Sequence, residues 1–246
     1  MKNGSHQPPA PPKRFYKAAH ALQTPDGWQV QLDGRSVKTP KRGVLLLPTQ
    51  ALAEAIAAEW EAQGPSVDPR TMPLTKLANT TLDGVVGHEA AVRAEIVAYA
   101  GNDLLCYRAE RPERLAQLQH EQWDPLLSWA TEQFDARLHT TTGVMPVRQS
   151  EDCVSHLEEA VAALDAFALS SVHVITTLTG SAVLALAYIH GRLTAEEAWA
   201  AAHLDEDFQI AHWGEDAEAK KRRDARHAEM LAAATFYGLS RQSGGL

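Results

Sequence analysis

Residues 24–34 read TPDGWQVQLDG, and they decide how the chain begins. Pro25-Asp26-Gly27 and Asp33-Gly34 are turn signals, because proline presets φ and glycine supplies the conformations that tight turns need. Between them Trp28-Gln29-Val30-Gln31-Leu32 alternates with period two, which sends successive side chains to opposite faces of a strand. Short antiparallel strands are therefore expected from Phe15 to Leu47, with Val44–Leu47 as a further strand closed by Pro48.

Helical spacing takes over after Thr49. Ala51, Leu52, Ala55, Ile56, Glu59 and Trp60 recur at three and four residues, and Gly64-Pro65 stops the run. Residues 65–85 are mixed, with a weakly helical Leu74–Leu82. Almost everything beyond is helical: His88–Ala100, Arg114–Trp123, a restart at Asp124-Pro125, and Glu151–Leu164 behind Ser150. Ala166–Leu178 and Ser181–His190 are apolar enough to be buried. Thr194 with Glu197 forms a capping box that opens a helix to about Trp213. Gly214 interrupts, and a last helix runs over Glu215–Tyr237 until Gly238. Strands first and helices afterwards predict an α+β chain. Its expected parts are an extended, proline-rich and disordered lead-in over 1–14, a small β-rich N-terminal domain with one or two helices over 15–85, and an all-helical C-terminal domain over 86–246.

The 246 residues can bury a substantial core, and a net charge of −8 argues against nucleic acid and anionic membrane surfaces as partners. Two distant cysteines, Cys106 and Cys153, make neither a disulfide framework nor a zinc motif. The N-terminus lacks the apolar core of a secretory signal and the character of a transit peptide. Val183–Ile189 is far too short to span a bilayer. A soluble, cytoplasmic protein is expected.

One block stands out. Residues 203–219, HLDEDFQIAHWGEDAEA, hold six carboxylates in seventeen positions and are followed by Lys220, Lys221, Arg222 and Arg223. A metal-dependent enzyme built on His203, Asp205, Glu206 and His212 is one reading of this His203–Glu218 cluster. Its spacing is wrong: no histidine has glutamate three residues before it, and no phosphate-binding loop or nucleophile elbow is present. Wheel positions place Asp205, Glu206 and Gln209 within an apolar arc that also contains Trp199, Leu204, Phe208 and Trp213, so internal hydrogen bonds are expected of those polar groups. His203 and Asp207 fall on the outer, solvated face. Glu215, Asp216 and Glu218 complement a helix start, with Gly214 as its cap and Asp216–Lys220 and Glu218–Arg222 as i,i+4 pairs.

Several segments together resemble a known family. They are Glu59-Trp60-x-x-Gln63, Met72-Pro73-Leu74-Thr75, Asp103-Leu104-Leu105-Cys106-Tyr107-Arg108, Gln122-Trp123-Asp124-Pro125-Leu126-Leu127 and Thr179-Gly180-Ser181. With them goes the stretch from Glu197-Ala198-Trp199 to Trp213-Gly214-Glu215-Asp216-Ala217-Glu218-Ala219. In this order they resemble the ATP-synthase assembly chaperones that handle the alpha subunit of the catalytic head, in mitochondria and some bacteria. The resemblance implies a β-rich N-terminal part and a helical C-terminal part, no catalysis and no cofactor. It also implies a one-to-one complex with free alpha subunit that prevents alpha self-association before the beta subunit arrives. The chain itself is then expected to be a monomer, in a bacterial cytoplasm or, if eukaryotic, a mitochondrial matrix. The family's important acidic residue maps by position to Glu218, with Asp216, Glu215 and Trp213 as partner-binding neighbours.

Overall fold

The computed structural model describes residues 12–143 and 145–242. The expectation for residues 1–11 lies outside the described residues. Lys13 and Arg14 depart from the lead-in assigned to them. Lys13 bridges Ser66, and the Arg14 N–H donates to the Pro65 carbonyl at 2.9 Å.

The expected strands form around β2 (Gly27–Leu32). It pairs antiparallel with β1 (Ala19–Thr24), β3 (Arg35–Ser36) and β4 (Leu46–Leu47). Gly27 has φ +140°, and a Cβ there would lie 2.9 Å from the Leu47 carbonyl oxygen, so the turn and the β4 pairing both require glycine. Val30, Leu32 and Leu47 are buried, as are Leu52, Ala53, Ile56 and Ala57 of α1 (Gln50–Glu61), which packs on the sheet.

Glu59 ends α1 in a structural joint. Its carboxylate accepts from the N–H groups of Leu74 and Thr75 at 2.7 and 2.8 Å, capping α2 (Pro73–Thr80), where Pro73 begins the helix with no N–H to satisfy. Gln63 locks the intervening loop by donating to Thr71 Oγ1 at 3.0 Å and accepting from Asp68 N–H at 2.7 Å. The E-W-x-x-Q and M-P-L-T motifs are thus two halves of one hydrogen-bonded corner.

Then follow α3 (Glu89–Ala100), α4 (Glu113–Phe134), α5 (Glu151–Ala162), α6 (Ala166–Thr179), α7 (Ala182–Ile189), α8 (Ala195–Ala202), α9 (Leu204–Trp213) and α10 (Ala217–Arg241). The fold is α+β. The buried apolar cluster is continuous from Val30 in the sheet through Met72 and Trp123 to Phe236 in α10.

Asp103 forms a second joint. It is fully buried and accepts from Leu105 N–H at 3.0 Å and from Val183 N–H, at the start of α7, at 3.1 Å. Leu104 N–H donates to Gly180 O at 3.0 Å, so the D-L-L-C-Y-R and T-G-S motifs meet here. Burial raises the Asp103 pKa to about 6 despite these donors. The adjacent Cys106 thiol is likewise pushed up to about 12 by burial.

Four sequence expectations need correction. The chain does not restart at Pro125; α4 is continuous through it. Pro125 and Glu121, whose carbonyl loses its partner, are both exposed, so water can satisfy that carbonyl while Trp123, Leu126 and Ala130 hold the inner face. Gly238 does not end α10, because buried Phe236 and Ser240, with the Thr49 hydroxyl donating to Leu239 O at 2.7 Å, carry the helix on to Arg241. Residues 141–142 are not simply a break: β5 (Tyr107–Arg108) and β6 (Thr141–Thr142) pair in parallel, too briefly to show a period. The helix expected from Thr194 to Trp213 is two helices, with His203 between them at φ −108°, ψ 18°.

Candidate functional site

The break at His203 rearranges the acidic block. A wheel drawn at a constant 100° per residue fails across it, because α9 starts on a new axis. Only Leu204 of α9 is buried. His203, expected on the solvated face, is instead buried, with its Nδ1 2.9 Å from the Trp199 carbonyl and its ring stacked on Trp199 at 3.6 Å between centroids. Burial lowers its pKa below the ordinary histidine range.

Helix α4 holds this corner from below. The buried Trp123 indole N–H donates to Ala201 O at 2.9 Å, at the end of α8. Gln119, fully buried, donates from Nε2 to Asp205 Oδ1 at 2.7 Å and accepts from Ala109 N–H at 2.7 Å. The Arg108 guanidinium donates to the Gln119 carbonyl at 3.1 Å and pairs with Asp124 at 2.8 Å. Asp205 is half-buried and anchored to the interior.

Its neighbours differ. Glu206 lies 3.9 Å from Arg223 Nε, and Asp207 pairs with Arg223 Nη2. Asp207 is therefore one jaw of a clasp between α9 and α10, not plain surface. Gln209, expected to point inward, is exposed. Trp213 was placed in the inward arc and is instead 88% exposed. Arg223 escaped sequence reading because a run of four cations gives no sign of which one turns back.

Glycine 214, with φ +83°, ψ 171°, turns the chain but does not cap α10. Asp216 does: its Oδ1 accepts from Ala219 N–H at 2.8 Å. Lys220 pairs forward with Asp224 at 3.2 Å rather than back with Asp216. Among the described residues Glu215 and Glu218 form no ion pair, and both are exposed. Ile210, Trp213, Gly214, Asp216 and Arg223 line a shallow cleft of about 250 Å³.

Among the described residues no three histidine, cysteine, aspartate or glutamate side chains are grouped to hold a metal ion, and Nδ1 of His203 meets the Trp199 carbonyl of α8 while Nδ1 of His212 meets the Phe208 carbonyl of α9. The metal-enzyme reading of the cluster fails on that geometry. What the corner presents, among the described residues, is an exposed indole, two carboxylates without an ion pair, and a shallow cleft.

A family model described as ATP12 chaperone protein matches residues 13–131. The crystal structure of Atp12 from Paracoccus denitrificans superposes with a TM-score of 0.89 at 43% sequence identity, covering 94% of this chain and 99% of that one. The chain belongs to the ATP12 chaperone family. A D-to-K variant of the Paracoccus Atp12 superposes equally, with a TM-score of 0.89 at 42% identity over 94% of this chain and 98% of that one. The mitochondrial protein atp12 of Schizosaccharomyces pombe is 22% identical over 229 residues, 87% of this chain and 79% of that protein. ATP12 proteins are chaperones. Among the described residues no helix is long and apolar enough to cross a membrane.

Proposed function

We propose that this ATP12 protein binds the free alpha subunit of the ATP synthase catalytic head and keeps it from self-association until the beta subunit replaces the chaperone. The α9–α10 corner is the proposed contact, with Trp213 as its apolar anchor and Glu215, Asp216 and Glu218 as its charged rim. The observation that carries the reading is Trp213, 88% exposed beside two carboxylates that form no ion pair among the described residues. Tryptophan is among the residues that most often dominate binding energy, and burying its ring on a partner contributes roughly 2–4 kcal/mol. Rim carboxylates steer encounter and fix register more than they tighten the complex, which suits a chaperone that must release its client. The protein acts as a monomer and performs no catalysis in this account, in a bacterial cytoplasm or a mitochondrial matrix. Affinity capture from cell extract with the tagged chain tests it: alpha subunit should be the main partner at one-to-one stoichiometry. Capture of ATP synthase beta subunit instead, or of neither, would overturn the assignment.

A further inference from the structure

A second surface lies on the sheet, away from the α9–α10 corner. β1 is an edge strand: it pairs only with β2, through a register running from Ala19↔Leu32 to Thr24↔Gly27. Asp33 N–H donates to Ala18 O at 3.1 Å, which fixes the alternation of the ladder. By that alternation Ala18, His20 and Leu22 turn their peptide groups toward β2, while Ala19, Ala21 and Gln23 turn theirs outward. The Ala19 N–H is taken by Glu61 Oε2 at 2.8 Å. Among the described residues the outward groups of Ala21 and Gln23 have no hydrogen-bond partner.

Proteins usually blunt such an edge with lysine, proline, a bulge or a covering element. β1 reads AHALQT and carries neither lysine nor proline. Among the described residues nothing fills the space beside it. Between the edge and α1 runs an open groove of about 690 Å³ lined by Ala19, Ala21, Ala57 and Ala58, with Glu54 and Glu61 at its acidic rim. The alanines leave room for a backbone to approach; His20 also lines the groove, and Arg14 pairs with Glu61 at 3.2 Å, which leaves Glu54 as the rim carboxylate without an ion pair among the described residues.

We infer that the β1 edge and this groove accept an extended, cationic client segment as an added strand. Main-chain pairing to Ala21 and Gln23 supplies the hydrogen bonds. The small side chains admit the added backbone, and Glu54 selects lysine or arginine on the face turned toward α1. This contact is independent of Trp213 and Glu218. A chaperone with both can hold a folded surface at one and an unpaired strand at the other.

The test uses the full chain and a fluorescein-labelled nonapeptide of alternating lysine and valine, N-methylated at alternate residues so that only one of its edges can pair. Saturable binding is expected, with slowed amide exchange at Ala21 and Gln23 and none of that protection in α9. Ala21→Pro removes one outward donor while leaving the β2 ladder intact, and should weaken binding about tenfold. Ala58→Arg, on the exposed face of α1, should weaken it comparably without touching the sheet, which covers the case that the proline variant is destabilised. A peptide with glutamate in place of lysine should not bind. Equal binding to both variants, protection confined to other elements, or indifference to peptide charge would each overturn the proposal. Because no alpha subunit is used, failure here leaves the reading of the α9–α10 corner standing.

Discussion

Replacing Asp103 by asparagine isolates the electrostatic strain at the joint between the Asp103–Arg108 segment and α7. In the native chain the carboxyl is fully buried, and its pKa rises from 3.8 to about 6. Burial opposes the charge more strongly than the surrounding N–H donors favour it. Two units at about 1.4 kcal/mol each amount to about 3 kcal/mol. The native state therefore holds a proton that the unfolded state gives up between about pH 4 and pH 6, so this group's contribution to stability is present at low pH and lost as pH rises through 6. Other groups titrate in the same window, so the informative quantity is a difference. Urea unfolding of wild type and Asp103→Asn, followed by tryptophan fluorescence from about pH 4 to pH 7.5, should show the wild type losing about 3 kcal/mol relative to the variant, then levelling. A gap independent of pH, or one moving in favour of wild type as pH rises, would refute the dominance of burial.

Other substitutions probe the remaining joints. Trp123→Phe removes the indole hydrogen bond to Ala201 and part of a buried ring, and should cost about 2–3 kcal/mol in the same unfolding assay. Asp216→Ala removes the α10 cap and should cost about 1 kcal/mol, whereas Gly214→Ala, at positive φ, strains the turn without losing a cap. His203, held neutral by burial, contributes stability above the ordinary histidine pKa that is lost as pH falls below it. His203→Phe should flatten that acid-side loss in the pH dependence of unfolding, and an unchanged acid limb would contradict its burial.

Legibility followed period and local chemistry. Val30 and Leu32 sit where the period-two pattern of 28–32 puts them, and the Thr194–Glu197 capping box forms. What failed was decided at a distance. No local signal says that α4 runs through Pro125, because the reason is a face buried against α7 and α9. The wheel through 195–213 misplaced His203, Gln209 and Trp213 for one cause, the change of axis at His203. The motifs that carry the family resemblance turned out to be mostly internal joints: Glu59 capping α2, Asp103 tying two segments, Trp123 holding the α8–α9 corner. The buried joints make the fold, while the exposed Trp213, Glu215 and Glu218 are what it presents.

The central claim is most directly tested by titrating purified ATP synthase alpha subunit against wild type, Trp213→Ala and Glu218→Lys. Both side chains are exposed, so unfolding stability should change by less than about 0.5 kcal/mol in Trp213→Ala and by about 1 kcal/mol in Glu218→Lys, which reverses a charge in the first turn of α10. Trp213→Ala should weaken binding about thirtyfold, and Glu218→Lys should slow association most at low salt. Two folded variants that bind the alpha subunit as tightly and as fast as wild type would contradict the account.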